Sequence, residues 1–198
     1  MTDEKELWAK KIFISTKMGF ITNIAIKHQL KKFGFGAEHV FVPLSGVRRA
    51  IVLFDVEDAQ LDECQKIASE FFSRENIAYK PFFLDMGKHG KDELITTGVK
   101  TTILRRNLAF CGTLPGEIIE ELQSEPAELY ICLTDRDCPA VRCFNGIVPA
   151  TFCIGRKDYP GSPFNMIFSA PGEDNIQVNF HDSTKCLQNM LEYLNKIV

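Results

Sequence analysis

The chain has 198 residues, of which 45% are hydrophobic and 25% are charged, and its formal net charge at pH 7 is −3. This composition is typical of a globular protein, and no stretch reaches the run of about 20 apolar residues that a membrane-spanning helix needs. The length allows one ordinary domain with an appendage. The N-terminus is acidic and lacks the basic region of a secretory signal, so we expect a cytoplasmic protein.

The cysteines predict reduced thiols. Their number is odd and no C-x-x-C pair occurs, which argues against a disulfide framework and fits a reducing compartment. The four histidines have no spacing to one another or to the cysteines that a structural zinc site uses, so we predict no metal site of that kind. The cysteines are Cys64, Cys111, Cys132, Cys138, Cys143, Cys153 and Cys186.

Residues 1–37 are interpreted as a basic, mostly helical arm that precedes an α/β domain over residues 38–198. Gly19 is a candidate break within the arm, and Gly34-Phe35-Gly36 is a candidate helix stop. Between Leu7 and Ala37 the chain has no acidic residue. The same stretch contains six lysines, which are Lys10, Lys11, Lys17, Lys27, Lys31 and Lys32.

Three kinds of contact fit this basic arm. It packs on its own acidic domain or mediates self-association, it binds another protein, or it lies on an anionic membrane surface. Packing or self-association is favoured, because the apolar residues of the arm do not gather into the single stripe of a membrane-surface helix. Nucleic acid ranks last, since no recognised nucleic-acid motif occurs.

The next segment predicts a β-α-β unit. Residues 48–55 contain a continuous apolar run, 50–54, that leads directly to Asp55, which is typical of an inner strand covered on both faces. Apolar residues then recur at helical spacing as far as Arg74, in a helix that Asp58 is placed to cap. Residues 78–85 predict a second strand, in which Pro81 argues for a position toward the sheet edge or a start after the proline.

The remainder predicts a second unit of the same kind. We expect short strands at 101–104 and 108–111, a helix from Pro115 to Leu122, a strand at 127–134, a short helix near 139–144 and a strand at 151–155. A last strand at 164–168 follows a candidate turn at 158–163, and a helix closes the chain at 183–197. Together these elements predict a single open, mostly parallel, Rossmann-like sheet flanked by helices.

This pattern resembles a family of uncharacterised bacterial proteins known only as a domain of unknown function. The resembling features are the lysine-rich N-terminal segment, the strand 51–55, the strand 129–134 followed by Pro139, and the strands that contain Gly155 and 164–167. The likeness covers most of the chain and implies the same α/β architecture. The family has no established activity, and this chain has Cys132 where the resemblance implies an acidic residue.

Three carboxylates are the main catalytic candidates. Asp55, Asp85 and Asp135 end or follow predicted strands, and ligands of parallel sheets bind beyond the carboxyl ends of the strands. If they converge, they favour a hard cation such as Mg²⁺ and a metal-assisted phosphoryl or ester hydrolase. Helix capping and turn formation are the favoured alternative and explain Asp58, Asp135 and Asp137 without chemistry.

Cys138 is a further candidate. It precedes a short predicted helix, whose N-terminus favours a thiolate, and Arg142 lies one turn further on. The spacing is too short for the loop of a cysteine phosphatase, so a non-catalytic thiol is favoured. No glycine-rich nucleotide loop follows the first strand, which argues against a nucleotide site and leaves the cofactor unknown.

The sequence thus favours a non-catalytic binding or interaction module, with a protein partner or a membrane surface at its basic arm. The alternative is the hydrolase that uses Asp55, Asp85 and Asp135. The pattern leaves open whether the chain is an enzyme.

Overall fold

A computed structural model describes residues 19–34, 40–88, 100–168 and 182–196. Six strands form one sheet in which all neighbouring strands are parallel, in the order β3-β2-β1-β4-β5-β6. The strands are β1 (Arg49–Asp55), β2 (Ala78–Asp85), β3 (Thr102–Leu104), β4 (Ala127–Cys132), β5 (Ala150–Gly155) and β6 (Met166–Ile167). The helices are α1 (19–33), α2 (Leu61–Arg74), α3 (Gly116–Gln123), α4 (Pro139–Ile147) and α5 (Ser183–Lys196). The predicted Rossmann-like α/β fold is confirmed.

The direction in which strands are added reverses in the middle of the sheet. From β1 the chain moves outward through β2 to β3, and it then returns to β4 on the other side of β1 and moves outward to β6. Helices α2 and α5 cover one face, and α1, α3 and α4 cover the other. In such doubly wound sheets the reversal opens a crevice between the carboxyl ends of the two central strands, here β1 and β4.

Strand β1 is apolar throughout because both of its faces are covered. Ile51 and Leu53 belong to the core under α1, α3 and α4, whereas Val52 and Phe54 belong to the core under α2 and α5. All four side chains are buried. Alternate side chains of a strand point to opposite faces, so a strand with two covered faces has no polar position in its middle.

Helix α2 begins later than the sequence suggests. Its N-cap is Gln60, and the predicted cap, Asp58, lies two residues earlier. The Asp58 carboxylate accepts a hydrogen bond from the backbone N–H of Gln60 at 2.9 Å, so it fixes the turn that leads into the helix. The assignment of Asp58 as the helix cap was therefore wrong, because a short Asp side chain can also hold a turn.

Pro81 lies inside β2, opposite Val52 of β1. The backbone N–H of Ala78 points toward β1, where it binds Arg48, and that of Phe83 points toward β3, where it binds Thr101. By alternation the nitrogen of Pro81 faces the β3 side, and β3 pairs only with residues from Phe83 onward. The strand is locally an edge at this position, so the missing N–H costs no ladder hydrogen bond.

In the second half, one predicted strand was wrong and the predicted turn before the last strand was right. Residues 108–111 were expected to form a strand, but Phe110–Gly112 is a 3-10 turn in which Cys111 and Gly112 have φ of 57° and 77°. Two consecutive left-handed residues reverse the chain and prevent an extended strand. The predicted turn at 158–163 is confirmed, because the backbone N–H of Ser162 donates to the carbonyl oxygen of Tyr159 at 3.0 Å and Gly161 has a φ of 84°. The last strand, β6, follows it and runs parallel to β5.

Helix α1 packs on the sheet domain. Ile26 is buried in the core, with Leu30 and Phe33 packed beside it. The helix ends where the sequence predicts, at Gly34, where a Cβ atom would lie 2.4 Å from the carbonyl oxygen of Leu30. Within the described residues, no helix combines the length and the hydropathy that crossing a membrane requires.

Candidate functional site

A crevice of about 460 Å³ lies at the switch point between β1 and β4. We call it the switch-point crevice. Its walls come from the turn after β1, the segment after β4, the residue after β5 and the first residue of α5. Its lining residues are Asp55, Glu57, Asp58, Ala59, Gln60, Leu133, Thr134, Asp135, Arg136, Arg156 and Ser183.

Asp55 is held in place from the β4 side. The hydroxyl of Thr134 donates to Asp55 Oδ2 at 3.1 Å, and Arg136 Nε donates to the same oxygen. Arg136 also donates through Nη2 to Glu57, so one guanidinium group joins two carboxylates. Partial burial lowers the pKa of Arg136, but the hydrogen bonds and charges of Asp55 and Glu57 outweigh it and raise the pKa above its ordinary value. Arg136 is therefore a permanent cation that links the ends of β1 and β4.

A second guanidinium group forms the opposite wall. Arg156 follows β5 and is mostly buried, and its Nη1 donates to Ser183 Oγ at 2.6 Å and to the carbonyl oxygen of Leu133 at 3.4 Å. Ser183 donates in turn to Asp58 Oδ2, and Arg156 forms an ion pair of 3.9 Å with the same carboxylate. This chain of contacts fixes the start of α5 against the turn after β1. The wall is rigid because each polar group in it has a partner.

The carboxylates of the crevice outnumber its cations. Four acidic residues and two arginines line it, which leaves two negative charges in excess. Asp55 and Glu57 share Arg136, and Asp58 pairs with Arg156. Asp135 is exposed, and within the described residues it has neither an ion pair nor a hydrogen bond. The excess charge therefore lies at the rim, on Asp135 and on the half-neutralised Glu57.

The three predicted catalytic carboxylates are not all in one place. Asp55 and Asp135 line the crevice, whereas Asp85 does not. Asp85 is buried, with 4% of its surface exposed, and its Oδ1 accepts the backbone N–H of Gly87 at 3.1 Å. In the part of the chain that the structure describes, no group of three histidine, cysteine or acidic side chains has the arrangement to hold a metal ion.

Cys138 lies at the start of α4 as predicted, in the N-cap position. Desolvation by burial raises the pKa of its thiol and outweighs the hydrogen bonds from the backbone of Val141 and Ala140, which lower it. Arg142 is engaged by Asp137 through two hydrogen bonds, of 2.6 and 2.7 Å. A thiol with a raised pKa is a poor nucleophile at neutral pH, because the thiolate is the reactive form.

The lysines of the arm divide into two groups. Lys27, Lys31 and Lys32 lie on α1 and are exposed. Lys10, Lys11 and Lys17 lie outside the described residues. The Lys32 ammonium is 4.7 Å from the centre of the Phe33 ring. The described lysines therefore form a basic surface on the side of α1 that faces away from the sheet.

Sequence reasoning missed Arg136, Arg156, Ser183 and Thr134. Thr134 and Arg136 flank a predicted site residue, and the need of strand-end carboxylates for a cation was a signal that pointed to Arg136. No comparable signal existed for Ser183, which lies 125 residues from its partner Asp58. Such a contact depends on the strand order, which a single sequence does not specify.

The chain matches no protein-family model, no curated protein and no solved structure. No relative is thus at hand whose ligand or activity could be compared with the crevice.

Proposed function

We propose that the protein is a non-catalytic binding module that holds a small organic cation, of the amine or guanidine class, in the switch-point crevice. The observation that supports the proposal is the excess of carboxylates around an open crevice between β1 and β4. The resemblance to uncharacterised bacterial proteins supplies no activity to transfer. The proposal therefore rests on the position, size and charge of the crevice.

Position and size both favour a small ligand. Open α/β sheets bind ligands beyond the carboxyl ends of the strands, at the point where the strand order reverses. Small-molecule sites usually enclose about 300–1,000 Å³, and the crevice encloses about 460 Å³. The contacts of Arg136 and Arg156 fix its walls, so the site is already formed before the ligand binds. Binding therefore costs little conformational entropy.

Charge selects the class of ligand. Both guanidinium groups already form ion pairs with carboxylates of the crevice, so neither is available as the cradle that a phosphate needs. An anion would also meet two excess negative charges. An ammonium or guanidinium ligand instead gains charge-assisted hydrogen bonds with Asp135 and Glu57, which lie at the rim.

The hydrolase predicted as an alternative is less well supported. It would use Asp55, Asp85 and Asp135 around one metal ion, but Asp85 does not line the crevice and Asp55 is bonded to Arg136 and Thr134. A cytoplasmic location belongs to the proposal as well. It is supported by the seven cysteines, all of which lie in the described residues as thiols and not as disulfides.

The test is a thermal-shift series with probes of different charge. Agmatine is a small dication, glucose is neutral and AMP is an anion. We expect agmatine to raise the Tm of the full chain in a concentration-dependent manner, while glucose and AMP leave it unchanged. Titration calorimetry should then give an affinity for agmatine that falls about tenfold in Asp135→Asn, because one charged hydrogen bond is lost.

Glu120→Gln is the matched control. Glu120 is exposed on α3 and does not line the crevice, so its neutralisation removes the same charge from a remote place. The affinity for agmatine should be nearly unchanged in this variant. If both variants lost affinity for agmatine equally, the effect would come from net charge alone and the proposal would be overturned. Stabilisation of the chain by AMP alone would overturn it as well.

A further inference from the structure

Helix α1 exposes apolar side chains that its own packing does not use. The stripe that faces the sheet contains Ile26, Leu30 and Phe33. Gln29 fixes the helix on this side, because its side chain both donates to the carbonyl oxygen of Leu114 at 2.8 Å and accepts from the N–H of Leu114 at 3.1 Å. The docking of α1 on its own domain is complete without the residues on the outer side.

Those outer residues form an apolar surface with a neighbouring turn. Phe20 is 66% exposed, Ile24 is 51% exposed and Ile21 is 41% exposed. Phe110, on the 3-10 turn beside the helix, is 75% exposed, and a groove of about 410 Å³ runs between this turn and α1. Single exposed apolar residues are ordinary, but a cluster of this kind on one surface marks an interaction site.

Exposed cations lie on the same helix as the apolar cluster, and one of them, Lys32, lines the groove. Lys27, Lys31 and Lys32 are exposed on the same helix, and residues 7–37 contain no acidic residue. Arg105 and Arg106 are exposed five and four residues before Phe110. The exposed acidic residues of α3, Glu117 and Glu120, do not line the groove. The surface therefore presents exposed apolar side chains beside positively charged ones.

We infer that α1 and the Phe110 turn form a docking surface for an anionic lipid membrane, independent of the switch-point crevice. Phe20, Ile24 and Phe110 enter the interface between headgroups and acyl chains, and the lysines contact the anionic headgroups. Peripheral attachment of this kind needs two contributions, apolar insertion and electrostatic attraction, and both are present here. Lysine is depleted in protein–protein interfaces, so the composition favours a lipid surface over a protein partner.

The test is cosedimentation of the full chain with vesicles. We expect binding to vesicles of phosphatidylglycerol and phosphatidylcholine at low salt, no binding to pure phosphatidylcholine, and loss of binding at high salt. Replacement of Lys27, Lys31 and Lys32 together by glutamine should weaken binding on the order of a hundredfold. Phe110→Ala should weaken it on the order of tenfold, because it removes an inserted ring.

Val40→Ser is the matched control for the apolar substitution. Val40 is 53% exposed but does not line the groove, so its replacement should leave vesicle binding unchanged. The substituted side chains are exposed, and circular dichroism will show that each variant keeps the wild-type fold. The inference would be overturned if the protein did not sediment with vesicles, or if it sedimented equally with neutral and anionic vesicles. It would also be overturned if Val40→Ser weakened vesicle binding as much as Phe110→Ala does. So would a dimer in light scattering that Phe110→Ala dissociates without any lipid binding.

Discussion

The two ends of the β1–β4 strand pair use acidic residues in different ways. At the amino end, the single carboxylate of Glu128 accepts the backbone N–H groups of Arg48 at 3.0 Å and Arg49 at 2.8 Å, and so joins the two strands. At the carboxyl end, four carboxylates and two guanidinium groups surround open space. One carboxylate is enough to join the strands, so the excess at the carboxyl end has another purpose. We assign that purpose to ligand binding.

The largest expected effect is on stability, at Asp55. Asp55→Ala leaves Arg136 and the Thr134 hydroxyl without their partner, and the lost carboxylate is only about a tenth exposed. We expect the free energy of unfolding to fall by about 2–3 kcal/mol, because removal of one member of a mostly buried pair leaves the other uncompensated. Urea unfolding followed by circular dichroism measures this change.

Glu128→Ala sharpens the comparison of the two ends. Its two hydrogen bonds lie at an exposed position, where water replaces the carboxylate, so the expected loss is only about 1 kcal/mol. The same urea experiment applies. If Glu128→Ala lowered the free energy of unfolding as much as Asp55→Ala does, the acidic residues at both ends would serve only to join the strands.

Arg136→Ala tests the role of charge in the crevice. The substitution removes the cation that Asp55 and Glu57 share, so three negative charges remain in excess. We expect stability to fall while the affinity for agmatine rises about fivefold, since one repulsive charge about 4 Å from the ligand is worth about 1 kcal/mol where water screens it fully. Titration calorimetry checks the affinity. A weaker affinity for agmatine would contradict the electrostatic argument, because the loss of a positive charge from the crevice should favour a cationic ligand.

The smallest expected effect is a pH dependence outside the crevice. A hydrogen bond from Arg142 lowers the pKa of Asp137, so the folded state holds this carboxylate ionised more strongly than the unfolded state does. The resulting stability is present above the unfolded pKa of about 3.9 and is lost as pH falls through the folded value. Because the pair is about a third exposed, its contribution is below about 1 kcal/mol.

Urea unfolding at pH 7 and at pH 3 measures the Asp137 contribution. The wild type should lose more stability than Asp137→Asn over this interval, because the asparagine has no proton to take up. An identical loss in both proteins would show that the Arg142 contact does not stabilise the fold.

Much of the fold could be predicted because each central strand has its own local signal. The continuous apolar run before Asp55 requires two covered faces, and the helical spacing after it defines α2. The turn at Cys111 could not be predicted, since nothing in the sequence marks a non-glycine residue with positive φ there. The short edge strand β3 was predicted to within one residue, as 101–104 against the observed Thr102–Leu104.

The crevice was predictable only in part. Asp55 and Asp135 were identified because they follow strands, and parallel strands bring their ends together. Whether Asp85 joins them depends on which strands are neighbours of the switch point, and β2 lies on the outer side of β1. Arg156 and Ser183 come from β5 and α5, so their contact with Asp58 required the complete topology.

The most direct test of the account is to locate the bound cation by NMR. Agmatine is titrated into ¹⁵N-labelled full-length protein, and the backbone amide shifts are followed residue by residue. We predict that the shifts concentrate on the crevice, at Glu57, Ala59, Thr134, Asp135 and Arg136. Shifts confined to other surfaces, or no saturable shift at all, would contradict the claim that the switch-point crevice binds an organic cation.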